Sequence, residues 1–161
     1  MGRIDVLLPL IGKLNYCWTN TESLLIYLIV HMMDCSKEAA IVVFLTLNTT
    51  RARLDLVERL AKMNATLPAD RNEVLDITGR MKREAKVRNK YNHSVYDFDE
   101  NGELESTQLL RIAEFGNELK YGKVEEIDNS EFQRLADTIE NIIGINEDMW
   151  RFIRAKGIKD L

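Results

Sequence analysis

Apolar or small side chains recur at Ile4, Leu7, Ile11, Leu14, Trp18, Thr21, Leu25, Leu28 and Met32, in alternating steps of three and four. That period predicts one long amphipathic helix, or two nearly collinear ones, with Pro9 tolerated if the regular helix begins just before it. Thr19 and Glu22 stand in the S/T-x-x-E pattern of a capping box, which allows a break there. Ser36 followed by "KEA" opens a second helix through Leu47. The stretch "NTTRARLDLVERLAKM" predicts a third, with Leu54, Val57, Leu60 and Ala61 on its inner face. Pro68 and Asp70 of "NATLPAD" predict a turn and an N-cap.

The next helix is expected from about Arg71 to Asn92. At roughly 100° per residue, Val74, Ile77, Met81, Ala85, Arg88 and Asn92 fall on one stripe about 80° wide, so Arg88 continues the apolar face. Lys82, Arg83, Lys86 and Lys90 cluster on nearly the opposite side, as a solvated face or a phosphate track. After His93 the period shortens. "SVYDF" and "ELESTQLL" are candidate strands around "DENG", whose Gly102 suits a left-handed turn position. A last helix is expected from about Ser130 to Ala155, with Phe132, Leu135, Ile139, Ile142 or Ile143, Met149 and Ile153 inward and Gly144 as a weak point. The fold expected is mainly all-α: an antiparallel bundle of four to five helices with one small β-hairpin near residues 95–110, in a single domain spanning 1–161.

The length of 161 residues and a 45% hydrophobic content suit one packed domain. The richest apolar run, Leu24 to Met33, is about half of the roughly 20 residues a membrane-spanning helix needs, and Asp34, Lys37 and Glu38 follow it. No membrane segment is expected, and with no A-x-A-like cleavage site after the early Asp5 and Pro9 a cytoplasmic location is the expectation. Cys17 and Cys35 would lie about 27 Å apart on one straight helix at 1.5 Å per residue, which favours buried thiols over a disulfide. The net charge of −4 conceals a polarity along the chain. Residues 1–50 carry 3 basic against 4 acidic groups, residues 51–93 carry 11 against 6, and residues 94–161 carry 8 against 16. The acidic total argues against indiscriminate nucleic-acid binding, while the basic middle leaves room for a local phosphate-binding patch.

Where that basic stretch ends, "RNKYNH" places Arg88, Asn89 and His93 in an R-N-x3-H arrangement. This resembles the HEPN superfamily, whose hallmark is R-x4-6-H at the end of a core helix, often with a polar residue after the arginine. The long first helix, bundle core and late motif are similar as well. The resemblance implies a dimeric helical protein, and in catalytic members a metal-independent endoribonuclease of the kind found among toxins and defence proteins. It also implies RNA and, in some cases, an antitoxin-like protein as partners. Histidine titrates near neutrality and can take a 2′-hydroxyl proton or protonate a leaving 5′-oxygen, while a permanently charged arginine can hold the phosphate. By resemblance, His93 is the acid/base, Arg88 the phosphate clamp and Asn89 a positioning group. Lys82, Arg83, Lys86 and Lys90 are the expected phosphate contacts, and Tyr91 and Tyr96 are base-stacking or packing residues. The alternative on the same scaffold is a non-catalytic dimeric interaction or regulatory protein.

From Val6 to Met33, Lys13 and Glu22 are the only Lys, Arg, Asp or Glu residues, so Glu22 is expected either to meet Arg88 across the bundle or to close the capping box. His31 reads as structural. Asp97, Asp99, Asn101, Gly102 and Leu104 match the opening of a calcium-binding EF-hand loop, but Gln108 at the twelfth position cannot replace the bidentate glutamate, and the flanks read as strands. No zinc, dinucleotide or P-loop pattern is present, so no metal or cofactor is expected.

Overall fold

The computed structural model describes residues 2–158, and in it the chain is mainly helical. In chain order the elements are α1 (Arg3–Ser23), α2 (Leu25–Met33), α3 (Lys37–Thr46), α4 (Thr50–Ala61), α5 (Pro68–Asn92), β1 (Ser94–Phe98), β2 (Leu104–Leu109), β3 (Ile112–Phe115), β4 (Glu118–Tyr121), β5 (Val124–Glu126) and α6 (Asn129–Ala155). No described helix is long and apolar enough to cross a membrane.

The periodic positions of the first segment are largely those that disappear from solvent: Leu7, Leu14, Trp18, Leu25 and Leu28 are all buried. Three local details differ from expectation. The helix begins at Arg3, six residues before Pro9, because the Gly2 amide donates to the Asp5 carboxylate and caps the first turn (3.0 Å). The helix also runs straight through Thr19–Glu22, so the expected capping box does not form, and it breaks instead at Leu24. Pro68 does open α5 at its first turn, but Leu67 is its N-cap, and Asp70 lies inside that turn and faces other helices.

Ser36 and Thr49 cap α3 and α4 by accepting from the Ala39 and Ala52 amides, each at 3.1 Å, and Leu54, Val57, Leu60 and Ala61 are buried as expected. The long helices α1, α5 and α6 form the heart of the molecule. Arg80 and Lys90 of α5 reach Asp148 and Glu131 of α6, so these two run antiparallel. By contrast, Arg3 and Thr21 of α1 meet Ile127, just before α6, and Asn146 within it, so α1 and α6 run parallel. The helices are therefore not wholly antiparallel, because residues 24–67 come between α1 and α5 in the chain and residues 94–127 form two small sheets between α5 and α6.

The strand region is larger than one hairpin. Strands β1, β2 and β5 make a three-stranded antiparallel sheet in the order β1-β2-β5, and β3 with β4 makes a separate two-stranded one. Gly102 turns between β1 and β2 with φ +77°, and the Asp99 carboxylate accepts from the amides of Asn101 and Glu103, both at 2.8 Å. The Asp-rich loop that resembled an EF-hand is thus a hairpin turn whose lead carboxylate is spent on backbone, and no metal-holding group of His, Cys, Asp or Glu occurs among the described residues.

Candidate functional site

Four of the five apolar-stripe positions before Asn92 behave as the helical period requires up to a point: Val74, Ile77 and Met81 are buried and Ala85 is half-buried. Beyond Ala85 the buried stripe shifts. Val87 and Tyr91 become the core residues, Arg88 is half-buried at its edge, and Asn92 is exposed. The shift follows from what packs there, since the last turns of α5 lie against the start of α6 and the sheet. Tyr91 donates its hydroxyl to Glu131 (2.9 Å), and the Tyr96 hydroxyl donates to the Tyr91 carbonyl (2.8 Å). Burial first, and then the neighbouring Glu131, push the Tyr91 phenol pKa well above its ordinary value. Tyr91 is a structural residue in this arrangement, with no face left for a base.

The end of α5 is held tightly by the strand that follows. The His93 amide donates to the Asn89 carbonyl (3.1 Å), the His93 carbonyl accepts from Leu110 (2.7 Å), and Ser94 Oγ donates to the Lys90 carbonyl (2.5 Å). The His93 backbone is therefore fixed between helix and sheet while its ring is exposed. Arg88, one turn and a residue earlier, donates from Nη1 to Asn89 Oδ1 (3.2 Å), and its Nε is buried without a hydrogen-bond partner. On the same side as Arg88, one turn on, Asn92 Nδ2 donates to Asn15 Oδ1 of α1 (2.8 Å). The Arg88–Asn89 and Asn92–Asn15 pairs thus stand on the last turns of α5, with the exposed His93 next in the chain, and no carboxylate is in ion-pair contact with Arg88 among the described residues.

The expected partner of Arg88 is elsewhere. Glu22 is buried, but its carboxylate accepts from Thr50 Oγ1 (2.7 Å) and lies 3.4 Å from Arg53 Nη1, so neither expectation for it holds. Arg53 in turn donates from Nε to the carbonyls of Phe44 and Leu47 (3.1 and 3.0 Å), which makes this pair a clasp between α1, α3 and α4.

The basic track divides in two. Lys82 reaches Asp55 (3.0 Å) and Glu58 (2.8 Å) of α4, whose carboxylates favour its charged form, and Lys90 pairs with Glu125 and Glu131. Both lysines are thereby withdrawn from the role of phosphate contacts. Arg83 and Lys86 are exposed, and no ion pair involves them among the described residues. The positive charge open to an anion is consequently Arg83, Lys86 and the half-buried Arg88.

Two other features lie outside the motif. A groove of about 450 Å³ between α1 and α6 is lined by Tyr16, Asn20, Asn146 and Trp150 among others, and neither Arg88 nor His93 contributes to it. His31 bonds through Nε2 to Asp70 Oδ2 (2.8 Å), and Lys156 Nζ stands 2.5 Å from Asp70 Oδ1, close as an ion pair but not aligned as a hydrogen bond. Burial opposes the Asp70 charge, but these two partners outweigh it and hold its pKa below the ordinary value. The trio ties the ends of α2 and α6 to the start of α5, in keeping with a structural His31. Sequence reasoning missed Asn15, Arg53 and Lys156, because each acts through a partner distant in the chain and none stands in a local motif.

No family model, no curated protein and no solved structure matches this chain.

Proposed function

We propose that the chain is a HEPN-like, metal-independent endoribonuclease that works as a homodimer, with Arg88 and His93 as its reacting pair. The observation that carries this reading is the state of Arg88. It is half-buried, its Nε lacks a partner, and no carboxylate neutralises it, whereas Arg80, Lys82 and Lys90 of the same helix are all ion-paired. A partly desolvated guanidinium without an anion is costly, and a phosphate oxygen is the group that best completes it.

In this reading Arg88 holds the scissile phosphate and stabilises the charge that builds on it. His93, exposed and fixed by its backbone, takes the 2′-hydroxyl proton as that oxygen attacks phosphorus, or returns a proton to the departing 5′-oxygen. The products are a 2′,3′-cyclic phosphate and a 5′-hydroxyl. Asn89 orients the guanidinium through its Oδ1, and Arg83 and Lys86 supply the general attraction for the RNA backbone. With His31 engaged by Asp70, one subunit presents a single imidazole beside the motif, so the acid and base partners are the His93 residues of two copies. The neutralised Lys82 and Lys90 make no phosphate contact.

The test is incubation of the purified protein with mixed RNA in EDTA. Cleavage is expected, with cyclic-phosphate ends, and Arg88→Ala and His93→Ala should each reduce it by about 100-fold or more. A wild type that cuts no RNA would instead support the second reading, a non-catalytic dimeric regulator. The exposure of Asn89, Asn92 and His93 is the observation that favours that second reading.

A further inference from the structure

The hairpin of β3 and β4 stands out from the rest of the molecule because it has almost no core of its own. Every residue of β4 is exposed, and in β3 only Ala113 is even half-buried. Its register pairs Ile112 with Tyr121 and Glu114 with Leu119, which puts Ile112, Leu119 and Tyr121 on one face together with Glu114. These three are 61%, 52% and 66% exposed. An isolated two-stranded hairpin is marginal in water, and an apolar face of this kind marks a partner.

The backbone says which edge is available. Gly116, with φ +60°, and Asn117 form a two-residue loop, so the closing pair Phe115–Glu118 is hydrogen-bonded, and alternation makes Ala113–Lys120 the next such pair. The Gly122 amide donating to the Arg111 carbonyl (2.8 Å) continues the same alternation. The backbone groups of Glu118 and Lys120 therefore point towards β3, and those of Leu119 and Tyr121 point out from the free edge of β4.

We propose that this free edge of β4 pairs with the same edge of a second copy of the chain, antiparallel and centred on Leu119. Charge and hydrogen-bond register both select that occupant. Centring on Leu119 makes Leu119 and its copy a hydrogen-bonded pair, which is what outward-pointing amide and carbonyl groups require. The flanking positions then put Glu118 opposite the partner copy's Lys120, and Lys120 opposite its Glu118, in the close non-hydrogen-bonded geometry. The sequence of β4 is thus self-complementary about a two-fold axis, and β3, "IAEF", is not. The result is a four-stranded sheet whose one face gathers Ile112, Leu119 and Tyr121, with Glu114 among them, from both copies. This surface does not depend on the ribonuclease reading, since none of its residues belongs to the Arg88–His93 patch.

The test uses charge reversal and light scattering on the full chain across a dilution series. Wild type should dimerise. Lys120→Glu and Glu118→Lys should each weaken the dimer about tenfold or more, with unchanged far-ultraviolet circular dichroism, because each makes two like-charge pairs on an exposed strand. An equimolar mixture of the two variants should dimerise again, since one then carries two glutamates where the other carries two lysines. A wild type that stays monomeric at the highest concentration overturns the proposal, as does a dimer indifferent to both reversals. Failure of the mixture to reassociate overturns the register. RNA cleavage is read in Arg88→Ala and His93→Ala at concentrations where the chain is dimeric, so failure of the β4 pairing and failure of the Arg88–His93 chemistry are distinguishable.

Discussion

Arg88 and Lys90 stand two residues apart on the last turns of α5, and their surroundings are opposite. Lys90 is enclosed by Glu125 and Glu131, with Tyr91 donating to the same Glu131, so charge, hydrogen bond and packing are all satisfied within the chain. Arg88 has a neighbouring amide and a buried unpartnered Nε, and no carboxylate pairs with it among the described residues. A cation of the first kind stabilises the fold. A cation of the second kind costs the fold something, and in the proposed function it is the one that takes the phosphate, a contrast their shared position on a basic helix does not show.

The largest effect expected from breaking the contrast is on the satisfied side. Glu131→Ala leaves the Lys90 ammonium with one carboxylate and strands the buried Tyr91 hydroxyl, so it should cost about 2 kcal/mol in urea unfolding. A loss below about 0.5 kcal/mol would mean that Lys90 is no better housed than Arg88.

Acid should erase the same contribution more gradually. Burial disfavours the Glu131 charge, but the hydrogen bonds from Lys90 and Tyr91 outweigh it, and the pKa lies below the ordinary carboxylate value. A depressed carboxylate stabilises the fold above the unfolded value of about 4.3 and ceases to do so as pH falls through the folded value. The deficit of Glu131→Ala relative to wild type should therefore be full at neutral pH and shrink below about pH 4. A deficit that stays constant down to about pH 2.5 would show that shape rather than charge is lost.

How far these two environments were legible in the sequence differs by element. The inner face of α4 and the caps at Ser36 and Thr49 are local, and period and side-chain chemistry suffice to read them. The placement of Arg88 near the apolar face was also readable, because the helical period carries it there. What could not be read is which carboxylate answers which cation. Glu22 meets Arg53 and not Arg88 because α2 and α4 fold back over the end of α1, and that geometry is set by the break at Leu24, a residue with no breaker signature. Lys90 meets Glu125 and Glu131 because the sheet and α6 return to the end of α5, a long-range event that a basic run cannot reveal. The β3–β4 hairpin did carry a signal, since Gly116-Asn117 joins two short runs, but its exposed strands lack the half-buried alternation that makes a strand stand out.

The smallest effect, and the most discriminating, lies at Arg88 itself. Arg88→Met keeps the aliphatic stem against the core and removes the guanidinium with its unpartnered Nε. If the group is held for a phosphate, the fold loses nothing by its removal, and stability should be unchanged or higher by up to about 1 kcal/mol. RNA binding should fall in the same variant, with a shallower dependence on salt as one phosphate contact is lost. A Met variant that is less stable by about 1.5 kcal/mol would reverse the assignment: Arg88 would then be a structural cation like Lys90, and the polar patch around His93 would lose its claim to be a site.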